Sequence, residues 1–180
     1  MRLSVTADQC AAFPGKWSLW PAQMFAALNE VTIRDGIPLM VMELGSGAAT
    51  DVLASILQTQ LGKVIYLAYE NNADYISKHP VVSTYYWDGD VAGSWFSNCL
   101  ARYPGPYDLI IIDGPNGVDR AKWYPMLRDH IRPGAILIID DFDHYTEFQT
   151  ALDELCEYDV VDRVYAPSRT GMCWITVRVK

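Results

Sequence analysis

The 180-residue chain contains no apolar run approaching the ~20 residues that a membrane-spanning helix requires. Its first residues, Met1 to Ala12, lack the basic-then-apolar layout of a secretory signal, so the expectation is a cytoplasmic protein. Positive charge is scarce. Fourteen Lys and Arg stand against 22 Asp and Glu, a formal net charge of −8. Nucleic-acid binders carry a basic face because phosphate contacts supply most of their affinity, so neither a nucleic acid nor a membrane is expected as a partner. The one local basic group, Arg120, Lys122, Arg128 and Arg132, reads as the solvated face of a helix. The four cysteines (Cys10, Cys99, Cys156 and Cys173) form no C-x-x-C pair, which excludes a zinc site or a disulfide framework and leaves buried free thiols. Repeats, low-complexity tracts and linkers are missing as well. A single domain over residues 1–180 is expected, with residues 1–37 as a helical cap on an α/β core at 38–180. Its oligomeric state stays open, a homodimer included.

Apolar residues make up 51% of the chain and charged ones 20%, the balance of a globular fold rather than a disordered one. Strand-like runs at Pro38–Leu44, Lys63–Glu70, Val81–Trp87, Tyr107–Asp113 and Ala135–Asp140 alternate with helical stretches near Thr50–Leu61, Ala73–Lys78, Val91–Arg102 and Asp119–Ile131. The runs 109–112 and 136–139 are apolar without alternation, as in strands covered by helices on both faces of a parallel sheet. An amphipathic helix at Trp20–Val31, opened by Pro21, precedes the first strand. After a helix at Tyr145–Cys156, strands at Val160–Tyr165 and Cys173–Val179 flank a turn-rich segment, Ala166 to Gly171, that suits a hairpin. The fold class expected is a doubly wound, mostly parallel α/β sheet with a C-terminal antiparallel hairpin.

The segment from Val41 to Thr50 leaves a strand and enters a helix through Glu43-Leu44-Gly45-Ser46-Gly47. Glycines there permit a tight turn and close approach of a ligand, and open α/β sheets bind ligands where the strand order reverses. The dinucleotide fingerprint would place glycine at position 50, which is Thr50, and the acid Glu43 suits a positively charged ligand better than a pyrophosphate. The second strand ends in Glu70, followed by Asn71, about 20 residues after the glycines, where a carboxylate can accept ribose hydroxyls. The third runs into Trp87-Asp88-Gly89-Asp90, and the fifth follows Arg132-Pro133-Gly134.

Together these motifs, spread over about Leu39 to Asp141, resemble the class I S-adenosylmethionine-dependent methyltransferases, with Ala49 in place of a third glycine. The resemblance implies a Rossmann-like methyltransferase fold and S-adenosylmethionine as cofactor. It implies a cofactor site of Glu43, Gly45, Ser46, Gly47, Glu70, Asn71 and Asp113, with Asp90 or Asp88 against the adenine amino group. The fourth strand, ending at Asp113, would lie beside the transferred methyl.

Asp113, Asp140 and Asp141 end the fourth and fifth strands, so all three face one sheet edge. Hard oxygen ligands of this kind suit Mg²⁺ or another divalent cation. The pattern is similar to the catechol O-methyltransferase group, although Asn116 stands where that group has a lysine. The alternative is that Asp140-Asp141 caps the next helix while Asp113 bonds the cofactor or a turn. A hydroxyl acceptor must lose a proton, so Asp113, Asp141 and His144 are the candidate catalytic residues, His144 as the base. Trp17, Trp20, Trp95, Trp123 and Tyr124 are candidates for lining the acceptor pocket or for core packing. The leading reading is methyl transfer to a hydroxyl of a small molecule. Its competitors are an inactive, cofactor-binding regulatory domain of the same fold and an NAD-dependent oxidoreductase, which the absence of a Tyr-x-x-x-Lys pattern disfavours.

Overall fold

Side chains that alternate along the two unbroken apolar runs go to opposite faces of the sheet, which is why both runs lack polar positions. Ile110, Ile112, Leu137 and Ile139 enter one core, and Leu109, Ile111, Ile136 and Ile138 enter the other. This computed structural model describes residues 1–13, 20–86, 97, 100–101, 103–114, 118–165 and 173–180. The strands are β1 (Leu39–Leu44), β2 (Val64–Glu70), β3 (Val82–Tyr86), β4 (Tyr107–Ile112), β5 (Ile131–Ile139), β6 (Tyr158–Tyr165) and β7 (Cys173–Val179). They form one seven-stranded sheet in the order β3-β2-β1-β4-β5-β7-β6. β1 to β5 are parallel, and β7 runs antiparallel to both β5 and β6. The strand order reverses between β1 and β4, where a ligand crevice opens outside the carboxyl ends. The expected doubly wound sheet with an antiparallel C-terminal pair is what the chain forms. The turn joining that pair, 166–171, lies outside the described residues.

Helices α1 (Ala7–Cys10), α2 (Pro21–Leu28) and α3 (Ala48–Leu61) cover one face, and α4 (Tyr124–Leu127) and α5 (Thr146–Leu155) the other. Residues 1–33 also contribute an extended pairing, with the Leu3 N–H on the Val31 carbonyl at 2.9 Å. Leu3, Val5, Cys10, Phe13 and Met24 are buried in the α3-side core, so the cap is integral to that core. Cys10 is a buried free thiol and Cys156 a half-buried one. Among the described residues no helix is long and apolar enough to cross a membrane.

Several elements differ from expectation. The helix expected at Ala73–Lys78 is one 3₁₀ turn, Ala73–Tyr75, because His79-Pro80 ends it and no buried stripe supports it. The helix expected at Asp119–Ile131 is broken into a 3₁₀ stretch, the single turn α4 and a second 3₁₀ turn, Arg128–His130, with Pro125 inside. β5 starts at Ile131 rather than Ala135, and the Arg132-Pro133-Gly134 segment is an irregularity within it, where the pairing with β4 jumps between Tyr107 and Leu109. Most of the helix expected at Val91–Arg102 lies outside the described residues.

The basic group does not form one solvated face. Arg120 is buried, and Arg132 bonds the buried Asp108 from β5 at 2.9 Å. Asp108, on β4, also accepts from Arg34 and from the Met40 N–H on β1 (3.0 Å), which ties three segments together at the amino-terminal edge of the sheet. Removing that carboxylate leaves two guanidinium groups facing each other, both partly solvated. Asp108→Ala is therefore expected to lower unfolding stability by about 2–3 kcal/mol. A urea titration should show a lower midpoint at unchanged slope. Because the crevice lies at the opposite edge, ligand affinity of the folded variant should stay at the wild-type value.

Candidate functional site

The turn after β1 is shaped by contact between two backbones. Gly45 has φ +88°, and a Cβ built there would lie 2.8 Å from the Gly114 nitrogen. A Cβ on Gly114 would lie 2.9 Å from the Gly45 Cα, so each glycine makes room for the other. The N–H of Gly45 continues the ladder to the Tyr69 carbonyl (2.8 Å), and that of Asp113 continues it to Leu44 (2.8 Å). The close approach expected for a ligand at Gly45 is thus made by the chain itself. At Gly47 a Cβ would meet nothing within 4 Å and the backbone is extended, so the open side of the turn lies there. Gly47 precedes α3, and its N–H donates to the Thr50 hydroxyl at 2.8 Å, so Thr50 stabilises the start of the helix.

Two acids flank this turn. Glu70, at the end of β2, is buried and accepts the backbone N–H groups of Ser46 (2.7 Å), Asn71 (2.8 Å) and Asn72 (2.6 Å). Ser46 turns its hydroxyl to the Tyr75 carbonyl at 2.7 Å, and Asn71 is exposed beside the acid. Glu43 is buried on the α3 side and accepts the Tyr66 hydroxyl at 2.7 Å. Burial raises its pKa to about 7, against the lowering effect of hydrogen bonds from Tyr66 and Thr50, and the charges of Glu70 and Asp51 add to the rise. The same burial, with Glu43 beside it, holds the Tyr66 phenol well above its usual range.

Beyond the reversal point, β4 and β5 end together, with the Asp140 N–H on the Ile112 carbonyl at 3.0 Å. Asp113 and Asp140 lie beside each other at these strand ends, close enough for the charge of Asp140 to act on Asp113. Both are raised, by burial first of all, and Asp113 also by the charge of its neighbour. Arg120 joins the two strand ends. Its guanidinium donates to the carbonyls of Asp113 and Asp140, each at 3.0 Å, and stands 3.8 Å from an Asp141 carboxylate oxygen. Asp141 adopts a left-handed backbone (φ +55°).

This donor set does not fit a divalent cation. The Arg120 guanidinium lies 3.8 Å from an Asp141 carboxylate oxygen, and among the described residues no group of three ligating side chains is arranged to hold an ion. The Asp113, Asp140 and Asp141 metal assignment finds no support in this arrangement. His144 is exposed, its N–H on the Asp141 carbonyl (2.9 Å) and its ring edge-on to Tyr145 at 4.4 Å. Among the described residues its ring bonds none of the acids. Asp88, Asp90, Asn116, Trp17 and Trp95 lie outside the described residues. Trp123 and Tyr124 are buried in the α5-side core, so they are packing residues.

Sequence reasoning missed Gly114, Arg120, Tyr66 and Thr50. Only Gly114, in the Asp113-Gly114-Pro115 run, carried a signal of its own, since a glycine just past a buried strand marks a close backbone approach.

A family model described as a methyltransferase domain matches residues 42–142, more than half of the chain. No curated protein matches the sequence. Among solved structures, the precorrin-6y C5,15-methyltransferase of Geobacter metallireducens GS-15 is similar at TM-score 0.62 and 13% identity, over 94% of this chain and 93% of that one. The fibrillarin pre-rRNA processing protein of Methanococcus jannaschii follows at 0.57 and 13%, over 87% and 74%. For the spermidine synthase of Thermotoga maritima the values are 0.54 and 15%, over 79% of this chain and 53% of that one, so the chain spans about half its length. Likeness at this identity speaks for the fold, and the family match covers the segment from β1 to the end of β5. The chain therefore belongs to the methyltransferase-domain family, on the fold of the class I S-adenosylmethionine-dependent enzymes.

Proposed function

We propose that the chain transfers a methyl group from S-adenosylmethionine to a hydroxyl oxygen of a small molecule, without a protein-held metal. The observation that carries this reading is the open backbone at Gly47 between two buried acids, Glu43 and Glu70. That cradle suits a nucleoside bearing positive charge. Glu70 has two N–H donors on Oε1 and one on Oε2, so its free capacity is at Oε2, where it accepts one ribose hydroxyl. Glu43 supplies negative charge near the turn and is held close to half-protonated at neutral pH, which a cationic ligand shifts toward the carboxylate. The cofactor brings an electrophilic methyl on a sulfonium; the protein must align an acceptor with it and exclude water. Asp113, Asp140 and Arg120 stand at the adjoining strand ends, where the acceptor's proton would be handled. Turnover against hydroxylated acceptors separates this reading from that of a regulatory domain, which would bind the cofactor and release no methylated product.

Gly47→Val should fold with an unchanged melting temperature and lose S-adenosylmethionine binding by at least about 100-fold, as read by calorimetric titration. Gly45→Ala should instead lose stability by about 2–4 kcal/mol, since its Cβ meets the Gly114 backbone at a positive φ. Equal cofactor affinity in Gly47→Val and wild type would move the site away from this turn.

Glu43 generates a second expectation. Its folded pKa lies above its ordinary value of 4.5, so the folded state holds the proton more tightly than the unfolded chain does. Its contribution to stability is therefore unperturbed below pH 4.5, falls as pH rises to about 7, and stays low above that. The full loss is at most about 3 kcal/mol. Glu43→Gln should remove that slope and be the more stable protein at pH 8, measured by urea unfolding across pH. The same variant should lose about fivefold in affinity for S-adenosylmethionine and far less for the uncharged thioether S-adenosylhomocysteine.

A further inference from the structure

Five buried polar atoms on two facing segments have no hydrogen-bond partner among the described residues: Trp20 Nε1, Gln23 Nε2 and Oε1, Trp174 Nε1 and Thr176 Oγ1. Trp20 caps the start of α2, and Gln23 lies three residues further on the same side of that helix. Trp174 and Thr176 are two apart on β7 and so share one face of the sheet. The Trp20 and Trp174 rings meet at 5.7 Å, which brings the two pairs together. Gln23, Trp174 and Thr176 are each about 1% exposed, whereas Trp20 is partly open.

The face of β7 in question is that of the reaction centre. Thr176 pairs with Ile138, which belongs to the α3-side core. Asp140 follows Ile138 by two, Asp113 follows Ile111 by two, and Glu43 follows Val41 by two, so all three acids project to that side. Trp174 lies one residue beyond the Ile139–Ile175 pair, level with Asp140. The unpartnered groups thus adjoin the strand ends at which transfer is proposed.

Leaving buried donors and acceptors unpaired is costly, and apolar side chains of like shape would fold at least as well. We propose that α2 and β7 form the acceptor-binding wall, and that Trp20, Gln23, Trp174 and Thr176 recognise a flat, neutral acceptor bearing a carbonyl or carboxamide beside its hydroxyl. This inference rests on the methyltransferase reading. The chemistry of the wall sets the class. Two indole N–H groups donate only, while the amide and the hydroxyl both donate and accept, so the wall matches carbonyl and amide edges. The cation on that face of β7, Arg178, is paired with Glu30, which disfavours a carboxylate or phosphate, and the two indole rings favour a planar ligand. α2 is pinned at its far end, where Glu30 pairs with Arg178 of β7 and with Arg2. Its other end carries the partly open Trp20, so the ligand passes between the two indoles by parting α2 from β7 at that end.

The test uses the full chain and two nearly isosteric probes, 4-hydroxybenzamide and its anion-bearing counterpart 4-hydroxybenzoate. Binding is read from the indole N–H resonances, with Trp20→Phe and Trp174→Phe assigning the two that matter. The amide probe should shift both signals and bind at least about tenfold more tightly than the benzoate. Gln23→Leu should weaken it about tenfold and Thr176→Val about threefold, with S-adenosylmethionine affinity unchanged in both. Thr176→Val keeps the shape of the side chain and so serves if Gln23→Leu fails to fold. Absence of shifts at both indoles, a preference for the benzoate, or wild-type probe affinity in the folded variants would overturn the wall. Failure of the methyltransferase reading shows separately, as wild-type protein that binds the amide probe through these residues but does not bind S-adenosylmethionine.

Discussion

The mutual approach of Gly45 and Gly114 is the constraint from which the rest of the site follows. Parallel strands β1 and β4 are neighbours at the reversal of strand order, and their exits must diverge to leave a crevice. In this chain they first touch, backbone against backbone, and only then separate. That contact sets the direction in which residues 45–47 leave the sheet. It brings the Ser46 N–H onto Glu70 and leaves Gly47 at the open side, where α3 begins. A side chain at either glycine would force the exits apart and break the link between turn and acid. Glu70 in turn gathers N–H groups from the turns after β1 and β2, so one carboxylate fixes the position of the first turn relative to β2.

The electrostatics of the edge have a single theme. Glu43, Asp113 and Asp140 all lie on the α3 face within a buried region, and Arg120 is the cation that bonds the strand ends there. Its guanidinium is spent on two backbone carbonyls as much as on charge, so the region remains short of positive charge and protons make up part of the balance. A ligand that brings its own positive charge relieves the shortage, and one that brings a pyrophosphate increases it. The same reasoning bears on a divalent ion. It would also supply charge, but it would have to displace Arg120 from Asp141. The cofactor's charge asks for no such rearrangement.

The parts of the fold legible in the sequence were those set by local rules. The unbroken runs in β4 and β5 announced strands buried on two faces, and the glycine pair after β1 announced the crevice, because burial and turn geometry act on adjacent residues. What could not be read depended on contacts distant in sequence. Arg120 looked like one member of a solvated cluster, and its role arises only when β4 and β5 end side by side. Gly45 looked like a ligand contact because its partner, Gly114, is far along the chain. Three carboxylates at neighbouring strand ends looked like metal ligands, since the sequence places them at one edge without saying which way each points or that Arg120 lies against one of them. The broken helix after β4 was legible in principle, because Pro125 interrupts it.

Polar groups in this domain fall into two kinds, and the contrast says where the structure awaits something. Glu43 and Tyr66 satisfy each other, Asp108 draws two arginines and a backbone N–H, and Glu70 is bonded on both oxygens. These groups build the fold and its cradle, and each has its partners within the chain. Trp20, Gln23, Trp174 and Thr176 are as deeply set, or nearly so, yet incomplete. The Thr84 and Tyr124 hydroxyls also lack a partner among the described residues, but each stands singly on its own element, whereas these four residues adjoin. Local rules are broken where function requires it, and the break here falls on the face and at the level of the reacting edge. On the proposed reading, the unmet hydrogen-bonding capacity between α2 and β7 is binding energy held for the acceptor.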